Sequence, residues 1–299
     1  MVWYVLIRFL DKAAILENEG SLAEKKSAWK LATVTTVEEL KLIINMIPIW
    51  LFTLPFGICF SQTSTFSIKQ CAIMNRKLGN RFEVPAGSIV TFAGIGMIFC
   101  VTIYDKLLVP MLRKLMGNER GISILQRIGI GMCFSVITMI VAALVERRRL
   151  EAFEMNGPLK GSLSMSALWL APQILLIGFG DGLALVGLQE YFYDQVPDSM
   201  RSLGIALYFS VIGAASFVSS LLITIVDHVT SKIWESWFGK DLNSSRLDQF
   251  YWLLATMTTL NLFAFVFYAR KYSYKNVQKV SMVNHYKGKS DDGRVETVI

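Results

Sequence analysis

The amino-acid sequence places one carboxylate, Asp181, within a long apolar stretch. Asp181 stands in GFGDG at 178–182, and the interval 161–180 just before it carries no charged residue. An ionised carboxylate inside a bilayer is costly unless it faces an aqueous cavity, takes up a proton or meets a cation. Asp181 is therefore a candidate for proton-coupled chemistry or for solute binding. The alternative is a structural carboxylate that a neighbouring helix caps.

A second polar set follows the first long apolar interval, where amide and hydroxyl side chains fill most of 62–70. Pro48 and Pro55 lie upstream, and proline bends a helix and frees backbone carbonyls, as gating helices often require. The pattern favours a water-lined helix face. Gln62 is its favoured member because it is nearest the apolar part, and Thr65 and Phe66 lie beside it. The alternative is a helix end that emerges into the membrane interface.

The sequence offers no set of residues typical of catalysis or metal binding. It has no HExxH motif, no P-loop and no CxxC pair, and His228 and His285 have no nearby metal-ligand partners in the sequence. We therefore expect no enzyme activity, no metal and no cofactor, with a proton as the only coupling ion. The net charge of +7 comes from basic residues between apolar runs and near the C-terminus, which favours a lipid surface over nucleic acid.

The elements that must position these residues are membrane helices. Hydrophobic residues make up 53% of the sequence, charged residues only 18%, and mean hydropathy is +0.45. Uncharged intervals predict helical spans at about 41–61, 87–106, 124–145, 166–188, 202–226 and 249–269, because a bilayer crossing needs about 20 apolar residues. The predicted fold is an all-α membrane protein, a bundle of six transmembrane helices at 41–270. A cytoplasmic lead-in at 1–40 precedes it, and a basic cytoplasmic tail follows at 271–299.

Orientation follows from lysine and arginine, which concentrate on the cytoplasmic side of membrane proteins. With six crossings both termini share one side, and that side carries most of the basic residues outside the spans. We therefore expect both termini in the cytoplasm. The run of three arginines at 147–149 is the exception, because it falls on the outer side.

Nine short stretches in the order of the chain resemble the plant nitrate transporter 1/peptide transporter family. That family belongs to the proton-coupled oligopeptide transporters of the major facilitator superfamily. The matching stretches are RFLDKAA at 8–14, TVEELK at 36–41, IPIW at 47–50, LQRIG at 125–129, AALVE at 142–146, APQ at 171–173, EYFYDQ at 190–195, MRS at 200–202 and FYWL at 250–253. The resemblance implies that the bundle corresponds to the C-terminal half of a major facilitator fold, helices seven to twelve.

The same resemblance implies roles for particular residues. Asp181 matches the acidic position of helix ten, which serves substrate binding and gating, and Gln62 matches a pocket glutamine of helix seven. Nitrate transporters of the family can carry a nitrate-binding histidine two residues before that glutamine, where this sequence has Phe60. Nitrate bound in that manner is therefore not expected. The family's Glu-x-x-Glu-Arg proton-coupling motif and its partnering lysine belong to the first six helices.

Two functions compete on this basis. The first is proton-coupled symport of a small solute such as nitrate, a di- or tripeptide or an organic anion, with this bundle as an incomplete half. Its partners would be the lipid bilayer, the solute, and a missing N-terminal six-helix bundle or a full-length relative. The second is a non-transporting membrane protein that pairs with or regulates full-length relatives. The expected location is the plasma membrane, with the vacuolar membrane as the alternative.

Overall fold

The computed structural model describes residues 34–78, 82–116, 122–156, 165–196, 200–233, 236–239 and 241–271. Most of the predicted lead-in and nearly all of the predicted tail lie outside these residues. In the described part the α-helices are α1 (Val34–Ile73), α2 (Thr91–Ile103), α3 (Val109–Met116), α4 (Ile124–Asn156), α5 (Ala171–Gln195), α6 (Arg201–Ile233) and α7 (Leu247–Lys271). Short 3-10 helices, Ala86–Val90 and Ala167–Leu170, precede α2 and α5, and a π-helical turn, Tyr104–Leu108, joins α2 to α3.

Six segments of the described chain are long and apolar enough to cross a membrane. They are Glu39–Ile73, Ala86–Met111, Ile124–Met155, Ala167–Gln195, Arg201–Lys232 and Leu247–Lys271. A lipid-embedded backbone must satisfy its hydrogen bonds within its own segment, which is why these apolar stretches are helical. The prediction of an all-α, six-helix membrane bundle is confirmed.

The helix ends differ from the sequence prediction. Helix α1 begins at Val34, inside the predicted lead-in, and continues through Pro48 and Pro55 to Ile73, well past residue 61. Helix α4 likewise continues past residue 145 to Asn156. The added turns carry some polar side chains that the rest of the bundle binds: Ser67 and Gln70 of α1 bond to α5 and α4, and Arg149 of α4 bonds to the segment between α6 and α7. The helix therefore does not need to end where the apolar residues end.

The connections at one end of the bundle are themselves structured. We call this the distal end, where α1, α4 and α6 finish and α5 and α7 begin. Strands β1 (Lys77–Leu78) and β2 (Phe82–Glu83) form an antiparallel hairpin after α1. Asn75 forms a parallel bridge with Ser166, and the Asn75 amide donates to the Met165 carbonyl at 3.0 Å. The hairpin is thereby joined to the segment that leads into α5.

Helix α5 lies between α2 and α4 at backbone contact distance. A Cβ atom added to Gly178 of α5 would collide with the backbone carbonyl of Ala93 of α2. On the other side, a Cβ atom on Gly131 of α4 would lie 2.5 Å from the amide nitrogen of Ala184 of α5. Glycine is required at both positions because any side chain would push the helices apart. The helix that carries Asp181 is therefore held closely on two sides.

Candidate functional site

Asp181 lies in the middle of α5 and is buried, with 5% of its surface exposed. Its Oδ1 atom is fully buried and has no hydrogen-bond donor among the described residues. Tyr208 of α6 lies within electrostatic range of the carboxyl group. Among the described residues, no neighbouring helix caps this oxygen. A buried carboxyl group with an unused oxygen is suited to holding a proton or a cationic group.

Gln62 contributes its amide to a contact between α1 and α6. Its Nε2 donates to the Ser219 hydroxyl and, at 3.4 Å, to the Ser219 carbonyl. Both side chains are buried, and Gln62 Oε1 has no donor among the described residues. Gln62 therefore combines a fixed donor with a free acceptor. Sequence reasoning did not identify Ser219, because a serine in a span is more often a small packing residue.

Two further polar residues of α1 bond to two other helices. Gln173 Nε2 of α5 donates to the Ser67 hydroxyl at 3.2 Å, and Gln70 Nε2 donates to Glu146 Oε2 of α4 at 2.6 Å. Ser67, Gln70 and Gln173 are all fully buried. The second half of α1 thus forms inter-helix hydrogen bonds, and it is not a helix end that emerges into the interface.

The remaining predicted residues have different environments. Thr65 is exposed, and its hydroxyl donates to the Ser61 carbonyl of its own helix at 2.8 Å. Phe60 is half-buried. Phe66 is buried against three other aromatic rings, including Phe238 and Phe250, at centroid distances of 6.2–6.4 Å. The structure thus encloses Phe66 within the bundle while Thr65 lies on its surface.

Asp181 and Gln62 lie at different depths. A Cβ atom on Gly180 would lie 3.4 Å from the ring of Phe56, so Asp181 lies near the level of Phe56 on α1. Gln62 follows Phe56 by six residues, which is about 9 Å along a helix. The two groups are therefore suited to opposite parts of one extended solute, or to successive positions along a path, rather than to a single shared contact.

Arg127 of α4 was not identified from the sequence, although it lies in the LQRIG stretch. Its guanidinium lies over the Tyr104 ring at 4.2 Å, and its Nη1 pairs with Glu190 Oε2 at 3.3 Å. Its Nη2 donates to the carbonyl of Gly182, next to Asp181, at 3.4 Å. Arg127 therefore joins α4 to the backbone of α5 beside Asp181 and to the π-helical turn. Such turns often occur at functional sites.

Among the aromatic residues, Trp50 has a specific partner. Its Nε1 donates to the Ser210 hydroxyl of α6 at 2.8 Å. Trp169 is half-exposed and lies under the Arg148 guanidinium at 5.5 Å. Trp50 therefore strengthens the contact between α1 and α6, whereas the exposure of Trp169 near a helix end suits a membrane interface.

The six membrane-crossing helices define an integral, multi-pass membrane protein. Its first helix contains two prolines, and its interior contains the buried carboxylate of α5. A family model, PTR2, described as the POT family, matches residues 2–243. The chain belongs to this family.

Two similar proteins come from Arabidopsis thaliana. Protein NRT1/ PTR FAMILY 5.7 is 59% identical over 276 residues, covering 91% of this chain and 46% of that protein. Protein NRT1/ PTR FAMILY 5.6 is 58% identical over 274 residues, with the same two coverages of 91% and 46%. The chain spans about half the length of these curated relatives. The resemblance to the nitrate transporter 1/peptide transporter family is thereby confirmed.

Two solved structures share the fold. One is an auto-inhibited POT family peptide transporter, with a TM-score of 0.61 and 19% sequence identity, covering 79% of this chain and 42% of that one. The other is the POT family transporter PepTSo, with a TM-score of 0.63 and 20% identity, covering 81% of this chain and 44% of that one. The six-helix bundle therefore has the architecture of about half of a POT transporter.

Proposed function

We propose that this chain is one bundle of a proton-coupled secondary transporter for a small solute, and that it has no enzymatic role. The observation that carries the proposal is the buried carboxyl group of Asp181, whose Oδ1 atom has no donor among the described residues. A carboxyl group in an apolar interior can alternate between a protonated form and a charged form that pairs with a cationic group. Such a group beside the solute would link solute binding to protonation.

The solute class is a di- or tripeptide or an organic anion, with nitrate as the less favoured substrate. Asp181 and Gln62 are polar groups at different depths, and an extended solute could contact both of them. Asp181 would bind an amino group, and Gln62 Oε1, its free acceptor, would accept a hydrogen bond from an N–H or O–H group of the solute. Phe60 has no polar atom to offer nitrate.

A second six-helix bundle would complete the site. In major facilitator proteins the solute cavity lies between two bundles, so that one bundle supplies only half of its wall. Since the chain spans about half the length of its curated relatives, we propose that the other half comes from a further bundle, either in the same polypeptide or in a full-length relative. The second candidate function, pairing with or regulating such a relative without transport, rests on the same observation.

Uptake measurements separate these possibilities. The chain is expressed alone, and also fused behind the part of NRT1/ PTR FAMILY 5.7 that it does not match, in cells that lack peptide and nitrate uptake. We expect the fusion to accumulate labelled dipeptide under an inward proton gradient and the chain alone to accumulate none. Uptake by the chain alone would contradict the two-bundle proposal. A fusion that reaches the membrane without transporting any dipeptide, nitrate or organic anion would favour the regulatory function.

We also propose that the protein lies in the plasma membrane, with the vacuolar membrane as the alternative. Both termini would face the cytoplasm. The arginines at 147–149 are the exception in the charge distribution, and one of them, Arg149, is no surface charge because it is fully buried beside Glu146. The basic residues on the side of the termini support the proposal. Epitope tags at both ends of the chain should be digested when protease is added to the cytoplasmic face of sealed microsomes. Protection of the C-terminal tag would contradict the orientation.

A further inference from the structure

A buried ion pair lies at the distal end of α4. Glu146 and Arg149 are both 0% exposed, and they are three residues apart on the same helix. Arg149 Nη2 donates to Glu146 Oε1 at 2.7 Å and Arg149 Nε donates to Glu146 Oε2 at 2.8 Å. This fork geometry fixes the guanidinium in one orientation, and it leaves the remaining polar atoms directed at other elements.

The pair is bonded to two other parts of the chain. On one side Gln70 of α1 donates to Glu146 Oε2 at 2.6 Å. On the other side Arg149 Nη1 donates to Asn243 Oδ1 at 2.6 Å, and Arg149 Nη2 donates to the Leu242 carbonyl at 3.0 Å. One buried ion pair therefore connects α1, α4 and the segment between α6 and α7.

That segment is folded in its described parts, 236–239 and 241–246. The Arg246 amide donates to the Trp237 carbonyl at 2.9 Å, and the Gly239 amide donates to the Ser245 hydroxyl at 3.0 Å. The ring of Phe238 packs on Phe250 at 5.2 Å, in the same cluster that contains Phe66 of α1. The segment thus contacts the distal half of α1 directly as well as through the ion pair.

Stability alone is a poor explanation for this arrangement. A buried ion pair often contributes no more to the free energy of unfolding than well-packed apolar residues of the same volume would. Unlike an apolar contact, the polar network consists of directional hydrogen bonds. It therefore fixes the relative orientation of the elements that it joins.

We propose that Glu146 and Arg149 form a clamp that fixes the distal end of α1 to α4 and to the segment between α6 and α7. These three elements then open and close as one unit, although the two prolines leave α1 able to bend nearer its start. The clamp is a property of the folded bundle. It does not depend on whether the chain transports a solute, so its test and the uptake test can fail independently.

Cys71 provides a reporter for the clamp. It follows Gln70 on α1, is fully buried, and packs against residues of α4 and α5 that include Val145 and Ile174. In a variant with Cys59, Cys100 and Cys133 replaced by alanine, the rate at which a membrane-impermeant maleimide labels Cys71 measures opening of this end. The measurement uses the full chain in native membranes.

Gln70→Leu should raise the labelling rate on the order of tenfold, because it removes one hydrogen bond to a charged group while the ion pair stays intact. The matched control is Arg147→Gln, which removes an exposed pair with Glu151 on the same helix and should leave the rate unchanged. An unchanged rate in Gln70→Leu would overturn the clamp, as would an equal increase in the control.

Hydrogen exchange of the unaltered chain provides a second test that does not require a variant to fold. The clamp predicts that the hydrogen-bonded amides of Ser244, Ser245 and Arg246 are protected to the same degree as those at the distal end of α1, because both open together. Exchange at these three amides as fast as in an unfolded peptide, with α1 still protected, would overturn the proposal.

Discussion

Asp181→Asn is expected to abolish proton-driven uptake by the two-bundle fusion while the protein still reaches the membrane in normal amounts. Asparagine has nearly the same shape as aspartate, so the close contacts of α5 with α2 and α4 should persist. It cannot take up or release a proton, and it cannot pair as a charge with a cationic solute group. Uptake would be measured with labelled dipeptide over a range of external pH.

Two matched variants control this experiment. Asp241→Asn changes an exposed aspartate in the segment between α6 and α7 and should leave uptake unchanged. Asp181→Glu keeps the carboxyl group and should retain part of the activity, with uptake reduced because the longer side chain must fit between closely packed helices. Unchanged, pH-dependent uptake by Asp181→Asn would remove Asp181 from both the proton and the solute role.

The number and type of the helices could be predicted from the sequence because the bilayer imposes a simple rule on composition. An apolar, uncharged interval of about 20 residues has few alternatives to a transmembrane helix. The ends could not be predicted in the same way. Ser67 and Gln70 of α1 look like residues outside the membrane, yet they remain helical because Gln173 and Glu146 bond to them from neighbouring helices.

The position of Asp181 inside the bundle could be predicted from the sequence, because a charge within an apolar span is visible without knowledge of its neighbours. The partners of the α1 residues were not found, because they depend on how each helix is rotated. Gln62, Ser67 and Gln70 bond to α6, α5 and α4 respectively. The spacing of polar residues along α1 does not by itself specify which of three helices each residue bonds to.

The charge count had a related limit. Counting treats the arginines at 147–149 as three equivalent cations near a membrane surface, but the structure gives them three environments. Arg147 pairs with Glu151, Arg148 lies over Trp169, and Arg149 is buried in the clamp. Only partners that are distant in sequence, such as Asn243, distinguish the structural arginine from the surface ones.

Removing one partner of the clamp should be among the most destabilising single changes in the bundle. Arg149→Met leaves Glu146 buried with only Gln70 as a described donor, and an uncompensated buried charge costs about 3–5 kcal/mol. The measurement is the midpoint of thermal unfolding in detergent, compared at one heating rate. Arg147→Met removes an exposed pair and should change stability by no more than about 0.5 kcal/mol.

The double variant Glu146→Leu with Arg149→Met separates the unpaired charge from the rest of the network. With both charges gone, apolar side chains of similar volume should recover most of the stability that Arg149→Met loses. Recovery should be incomplete, because the Leu242 carbonyl and the Gln70 amide lose the partners that they have in the clamp. A double variant as unstable as Arg149→Met would show that the buried charge is not the source of the loss, and that the directed hydrogen bonds themselves hold this end of the bundle together.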